Sequence, residues 1–178
     1  MESSRQSSYV RKMVYASLFA ALTAAAAWIS IPIPLSPLPV TLQTLFTMLS
    51  GAVLGPYFGV LAMIVYVLLG LIGLPVFAAG QSGPGVLFGP WGGYLIGFVF
   101  GAAVTGLIAG AKEKPGLAWL CMAMAVGDIV VYVFGVAQLA LILQITLDKA
   151  ILIGFFPFVP GDILKLAIAT VIAGKMKV

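Results

Sequence analysis

Long apolar stretches alternate with short polar or glycine- and proline-rich breaks along the whole chain. The first stretch contains ASLFAALTAAAAWIS and extends from Met13 to Ile31, after a polar start at positions 1–12. An apolar run of this length without a charge predicts a helix that crosses a membrane. The same pattern predicts five more transmembrane helices, at Val40–Leu54, Tyr57–Leu74, Trp91–Ala111, Leu117–Ala140 and Pro157–Ala173.

The breaks between these spans have distinct chemistry. Four prolines in residues 32–39 exclude a continuous helix and predict a stiff, extended loop. The Gly55–Pro56 pair predicts a tight turn that folds spans two and three into a hairpin. Residues 75–93 hold six glycines and three prolines, which predict a long loop without regular helix that dips into the protein. We expect a charged turn at 112–116 and an interfacial helix or loop at 141–156.

Composition supports this all-α, polytopic membrane class. Of 178 residues, 62% are hydrophobic and 8% charged, and the mean hydropathy is +1.19. So few charges cannot cover the surface of a soluble domain. No polar segment is long enough to form a second, soluble domain. The single cysteine excludes an internal disulfide, and the lack of histidine removes the commonest metal ligand and general base. We therefore expect one transmembrane domain without a cofactor or a metal.

The basic residues predict the orientation in a plasma membrane. Six spans place both termini and the turns at 55–56 and 112–116 on one side, together with seven of the nine basic residues. Under the positive-inside rule that side is cytoplasmic. The proline loop, the glycine loop and the start of span six then lie outside. These seven residues flank apolar segments and do not form a nucleic-acid surface; they are Arg5, Arg11, Lys12, Lys112, Lys114, Lys175 and Lys177.

Two charges interrupt the apolar run FVPGDILKLAIA at residues 158–169. Asp162 and Lys165 are three positions apart, so they share one side of a helix. Either they pair with each other and support the structure, or they line a polar pocket. The start of a helix and a lysine together favour a carboxylate ligand, and the aspartate accepts hydrogen bonds from N–H groups.

Further polar residues in the spans have two interpretations each. Asp128 lies one helical turn before Tyr132 in span five, and it serves either a pocket or proton relay or a bond to a neighbouring helix. Gln43 follows the outer loop in TLQT, whose threonines are explained by capping and packing alone.

Alanines recur every fourth position in span one, at Ala16, Ala20 and Ala24. Small residues at this spacing let two helices approach closely, and the second helix belongs either to this chain or to another protein. The chain lacks a glycine-rich loop followed by lysine and serine or threonine, so it has no phosphate-binding nucleotide loop. Transport by this chain would draw its energy from a partner or an ion gradient.

Five motifs in combination resemble one family. LFAALTA, PLPVTLQT, LLGLIGLPVFAAG, GPWGGYLIGF and FVPGDILK occur between Ala16 and about Ala173. This set is similar to the BioY family, the biotin-specific substrate-binding (S) components of energy-coupling factor (ECF) transporters. The resemblance implies a six-helix bundle that binds biotin near its outer face. It also implies two kinds of partner, a transmembrane coupling (T) protein and two ATPases.

The resemblance implies roles for particular residues. Lys165 would meet the valerate carboxylate of biotin and Asp162 its ureido group. Gly80 and Gln81 of the glycine loop would lie over the ligand, and the proline loop would act as a lid. The row that begins with Ala16 and Ala20 would dock on the T protein. The predicted binding set also includes Asp128, Gln43, Tyr94 and Tyr132.

Three alternatives remain open from the sequence. The chain could be an S component for another vitamin, with the same fold and a different pocket. It could be a membrane-embedded enzyme that uses Asp128 and Asp162 as a carboxylate pair, although the lack of histidine disfavours this. It could also be a carrier that works without partners and is driven by protons through Asp128.

Overall fold

Seven α-helices and two short strands make up the described part of the computed structural model, which comprises residues 2–34, 36 and 38–176, with side chains from residue 6 onward. The helices are α1 (Glu2–Ala26), α2 (Gln43–Leu71), α3 (Pro84–Leu87), α4 (Gly92–Gly110), α5 (Leu117–Leu143), α6 (Leu147–Gly154) and α7 (Val159–Lys175). Strands β1 (Ser30–Ile31) and β2 (Val40–Thr41) pair antiparallel, with Ser30 opposite Thr41. The predicted helical class is confirmed. The structure adds one short strand pair, β1 with β2, which the sequence did not predict.

Helix α2 folds back on itself at Gly55. That residue has φ 79° and ψ 177°, a conformation that is open essentially to glycine alone. Beyond the turn, Thr47 Oγ1 lies 3.3 Å from Met63 Sδ, although 16 positions separate the two residues. Residues 43–54 and 56–71 are therefore two antiparallel arms, as the Gly55–Pro56 signal predicted.

Glycines allow the helices of the bundle to touch along their backbones. A Cβ atom added to Gly59 would lie 2.8 Å from the Cα atom of Gly51 on the facing arm of α2. A Cβ atom on Gly106 of α4 would lie 2.5 Å from the backbone nitrogen of Pro56. These contacts leave no room for a side chain, so small residues fix how close α2 packs on itself and on α4.

Contacts also show which segments share an end of the bundle. Lys12 Nζ of α1 lies 5.9 Å from the ring centroid of Phe58, just after the turn of α2. Helix α4 reaches the same turn through Gly106, and α7 ends beside the start of α5, because a Cβ on Gly174 would lie 2.5 Å from Leu117 Cδ2. The two chain ends and the turns at 55–56 and 112–116 are therefore neighbours. Lys177 lies outside the described residues, as does the side chain of Arg5.

Two helix boundaries differ from the prediction at the ends of spans one and five. Helix α1 already includes most of the polar start and ends at Ala26, short of Ile31, because Ser30–Ile31 pairs with β2 instead. Helix α5 continues to Leu143, where Gln144 in the left-handed conformation (φ 54°, ψ 39°) ends it.

The loops contain short helices. Residues 84–87 form α3 inside the glycine loop, with Pro84 at its first position, where a missing N–H is harmless. This corrects the expectation that the loop has no regular helix. Within 141–156, residues 147–154 form α6, and α6 joins α7 at a bend of 55°.

Three helices, α2, α4 and α5, are long and apolar enough to cross a membrane by length and composition, and the bent pair α6–α7 gives a fourth. This number of crossing helices treats α2 as one helix of 29 residues. The two arms of α2 run side by side, so α2 is not one straight span. The described chain is thus an apolar helical bundle of membrane type.

Gly59→Ala should destabilise the bundle by about 1–3 kcal/mol, because the new methyl group would meet the backbone of Gly51 and neither arm can give way. Denaturant unfolding of the purified protein in detergent measures this. Gly110→Ala is the matched control, since a Cβ there has nothing within 4 Å. Equal stability of the two variants would contradict the close packing of the arms.

Candidate functional site

A cavity of about 140 Å³ lies at the end of the bundle opposite the chain termini. Its wall is mainly apolar and aromatic with a few polar groups, which is typical of a small-molecule site. Residues of both the proline loop and the glycine loop contribute to it. The aromatic lining residues are Phe77, Trp91, Tyr94, Phe98, Tyr132 and Phe158, and the polar ones are Thr41, Gln43, Thr44, Gln81 and Lys165.

Lys165 brings a buried cation to the wall of this cavity. It is 6% exposed, and its Nζ donates to Thr44 Oγ1 at 2.8 Å and to the backbone oxygen of Thr41 at 3.0 Å. A third contact of 2.5 Å joins Nζ to Asp162 Oδ1. A buried charge is tolerated when it is paired and hydrogen-bonded in this way. Helices α2 and α7 therefore hold the ammonium group in place.

Asp162 lies behind the cavity wall and does not line it. Its Oδ1 pairs with Lys165, and its Oδ2 accepts a hydrogen bond from the hydroxyl of Tyr132. Asp162 is in the first turn of α7, where free backbone N–H groups favour an anion. The carboxylate that this helix start attracts thus belongs to the chain itself. Asp162 positions Lys165 and Tyr132, and both of these line the cavity.

Tyr94 and Tyr132 line the cavity, as predicted, from α4 and α5. Their rings meet edge to face at 6.2 Å between centroids, and Tyr132 meets Phe155 in the same way at 4.8 Å. The hydroxyl of Tyr94 donates to the backbone oxygen of Gly154 at 2.8 Å. Together these contacts attach α6 to α4 and α5 and give the cavity a rigid aromatic side.

Gln43 connects the cavity wall to the glycine loop. Its Nε2 donates to the hydroxyl of Tyr66, which in turn donates to the backbone oxygen of Val76 at 3.1 Å. At the far end of the loop, Gln138 Nε2 donates to the backbone oxygens of Leu87 and Gly89 at 2.8 Å each. The loop is therefore fastened at both ends beside the cavity.

Of the two loop residues predicted to lie over the ligand, Gln81 lines the cavity and Gly80 does not. Gly80 has φ 72°, and a Cβ there would face Trp28 at 3.8 Å. Its left-handed backbone turns the chain so that the next residue faces the cavity. Gly80 thus contributes backbone shape and Gln81 contributes a side chain, and the contact of both residues with a ligand stays a prediction.

Asp128 does not line this cavity. It is 6% exposed and lies beside a second cavity of about 10 Å³, together with Asp162, Lys165 and Thr44. The structure thus brings Asp128 to the ion pair rather than to the large cavity, which differs from the predicted pocket contact.

The alanine row of α1 packs inside the chain. Ala16 and Ala20 are 2% and 1% exposed and belong to the main hydrophobic core, and Ala24 is half-buried against it. A side chain that the bundle already covers cannot present itself to another protein. Of the two interpretations that the sequence left open, this burial favours packing within the same chain for Ala16 and Ala20.

Sequence reasoning missed several lining residues. Thr44 was attributed to capping, yet its hydroxyl accepts from Lys165. The aromatic residues Phe77, Trp91, Phe98 and Phe158 come from three separate segments, and nothing in their spacing distinguishes them from ordinary core residues. The one available signal was their nearness in sequence to the loops and to the charged pair.

Comparisons with known proteins agree with one another. The model of the "BioY family" matches residues 1–178. The "Biotin transporter BioY" of Thermotoga maritima is 46% identical over 94% of this chain and 96% of its own length, and that of Rhizobium etli is 34% identical over 94% of each. A crystal structure of the "S-component for biotin from an ECF-type ABC transporter" matches with a TM-score of 0.85 at 28% identity, over 95% of this chain and 92% of that one.

Tyr66→Phe should destabilise the protein by about 1–3 kcal/mol, because it leaves the buried amide of Gln43 without its acceptor and releases Val76. Thermal unfolding in detergent measures the loss. Tyr15→Phe removes a half-buried hydroxyl outside this network and serves as the control. An unchanged Tyr66→Phe protein would show that the Gln43–Tyr66 link does not hold the glycine loop.

Proposed function

Because the chain belongs to the BioY family, we propose that it is the biotin-binding S component of an ECF-type transporter. It is a transport protein and not an enzyme. The observation that carries this function is the loop-covered cavity with a buried lysine, in a chain whose close relatives are named biotin transporters. An S component for another vitamin would share the fold but has no support among these relatives. The carboxylate-pair enzyme also loses support, since neither Asp128 nor Asp162 lines the cavity.

The contact between Asp162 and Lys165 restricts how biotin can lie. The ureido group of biotin and its carboxylate are separated by a ring and a four-carbon chain. Two side chains that touch at 2.5 Å cannot each meet one end of such a molecule. This contact argues against assigning Lys165 to the carboxylate and Asp162 to the ureido group, and we infer that both act at the same end.

Charge balance selects the ureido end. Asp162 already neutralises Lys165, so a ligand carboxylate beside them would add an uncompensated negative charge inside the protein. The ureido group is neutral, and its oxygen can accept from Lys165 Nζ. The ring of biotin then lies against Tyr94 and Tyr132, and the carboxylate points toward the loops, where Gln81 offers an amide donor.

The two loops form the cover of this ligand. Leu38 and Pro39 come from the proline loop, and Ala78, Ala79 and Gln81 from the glycine loop, and all five line the cavity. Biotin enters only if at least one loop moves. The glycine loop is fastened through Tyr66 and Gln138, and the pairing of β1 with β2 joins the two ends of the proline loop. We propose that the proline loop is the segment that opens.

The bundle crosses the membrane six times in this proposal. The crossing segments are α1, the two arms of α2, α4, α5 and α7. Both termini lie on the cytoplasmic side, since Arg11, Lys12, Lys112, Lys114 and Lys175 are all at that end of the bundle. The cavity then opens toward the outside of the cell, where biotin is captured.

The chain obtains energy for uptake from its partners, a T protein and two ATPases. The face of α1 that the bundle leaves uncovered carries a second row of small residues, Ser17, Ala21 and Ala25, all exposed. These residues would let a helix of the T protein approach α1 closely. They replace Ala16 and Ala20 as the proposed contact.

We expect the purified wild-type protein to bind biotin, with biotin amide within about tenfold of it. An analogue without the ureido oxygen should bind about 10–150-fold more weakly, because Lys165 Nζ loses its acceptor, the equivalent of a lost charge-assisted hydrogen bond. Isothermal titration calorimetry measures the affinity of all three ligands on the wild-type protein, so the comparison does not depend on whether a variant folds. No binding of biotin would refute the function, and a loss confined to the amide would place the carboxylate at Lys165.

Ala21→Trp should leave biotin binding unchanged and reduce biotin uptake strongly in cells that contain the coupling proteins, because the indole blocks close approach of a helix. Ala20→Trp is the matched neighbour on the covered face and should reduce both, since Ala20 is 1% exposed in the core. Binding on purified protein and uptake of labelled biotin are measured side by side. Normal uptake with Ala21→Trp would exclude this face of α1 as the partner contact.

A further inference from the structure

A second, smaller cavity lies behind the ion pair. It measures about 10 Å³, which is the room that a single water molecule needs. Asp128 of α5, Asp162 and Lys165 of α7 and Thr44 of α2 line it. Among the described residues, Asp128 Oδ1 is the one buried side-chain oxygen or nitrogen without a hydrogen-bond partner. Buried polar atoms are almost always bonded, and the small cavity leaves room for a proton or a water molecule as the partner of this oxygen.

The charges around Asp128 do not balance if it is ionised. Lys165 is the one cation among the described residues that line either cavity, and it is already paired with Asp162. The other titratable neighbours are neutral hydroxyls: Tyr132 donates to Asp162, and Tyr94 of α4 donates to Gly154. Helix α2 contributes Thr44, Leu45 and Met48, none of which is charged. A second buried carboxylate would therefore have to share Lys165.

We propose that Asp128 is a proton-binding site that controls the availability of Lys165 to the ligand. With a proton on Asp128, the ammonium group has one carboxylate partner, and a ligand in the large cavity can replace one of its neutral acceptors, Thr44 Oγ1 or the backbone oxygen of Thr41. When the proton leaves through the small cavity, two carboxylates face the same ammonium group, and Lys165 turns toward Asp128. Ligand affinity then falls as the pH rises. The effect on ligand affinity, unlike the proton on Asp128, rests on the proposed binding of biotin.

The proton itself is detected by infrared spectroscopy of the wild-type protein without ligand. A protonated carboxyl has a C=O stretching band that is separate from those of carboxylates and amides. We expect this band at neutral pH and expect it to disappear in Asp128→Asn. Asp148→Asn, which alters an exposed carboxylate, should retain it. A wild-type spectrum without the band, or a band that Asp128→Asn leaves unchanged, would overturn the proposal.

The effect on the ligand is measured by biotin affinity from about pH 5 to about pH 9, a range that reaches well above ordinary carboxyl values. We expect wild-type affinity to fall by about tenfold or more across it, the loss of one charge-assisted hydrogen bond. Asp128→Asn should bind biotin at neutral pH within about threefold of wild type and show a flat profile. The same fall in Asp128→Asn would assign the titration to Lys165 and overturn the control by Asp128.

Failure of this proposal can be told apart from failure of the proposed function. If wild type binds no biotin at any pH, the function is wrong, while the infrared band still decides whether Asp128 carries a proton. If biotin binds with a flat profile in wild type, the function stands and the control by Asp128 is wrong. If Asp128→Asn does not fold, the disappearance of the wild-type band at alkaline pH, in step with the loss of affinity, supplies the same evidence.

Discussion

The buried ion pair of Asp162 and Lys165 is the interaction on which the arrangement of the cavity end of the bundle depends. Two charges inside an apolar bundle are costly to bury, and removal of either partner strands the other. Here the two charges pair with each other. Thr41 and Thr44 accept the other hydrogen bonds of the Lys165 ammonium group, and Tyr132 donates to the second oxygen of Asp162. Because these three residues come from β2, α2 and α5, the pair from α7 connects four elements at this point.

The position of the pair depends in turn on glycine packing deeper in the bundle. Gly51 and Gly59 let the arms of α2 touch, and Gly106 lets α4 reach the turn at Pro56. This close packing carries no specific ligand chemistry. It sets the distance between the helices, and so fixes where the hydroxyl of Thr44 lies relative to the ammonium group of Lys165. A methyl group in the wrong place therefore alters the binding site from a distance.

The sequence predicted what depends on local chemistry and missed what depends on neighbours. Asp162, Lys165 and the Gly55 turn stand out because a charge in an apolar run, or a glycine before proline, is unusual wherever it occurs. The row of Ala16 and Ala20 was harder to interpret, because Ser17 and Ala21 form an equally small row one position along. Spacing shows that such residues share a face of α1, but only the packing of α2 decides which face is covered.

The ligand contacts likewise depend on neighbours that sequence spacing does not reveal, and these neighbours determine specificity. The sequence places a lysine and an aspartate three positions apart, but only their contact in the structure shows that they form one neutral unit. Such a unit suits a head group that is itself neutral and polar. A vitamin with an anionic head would bury an unpaired charge there, and one without polar atoms would leave Lys165 and Tyr132 facing an apolar surface. In the proposed orientation the tail of biotin lies against Gln81 and the two loops, so variation in the tail is less costly. The cavity thus selects its ligand chiefly at its deep end, where α2, α5 and α7 leave the polar groups no freedom to adapt.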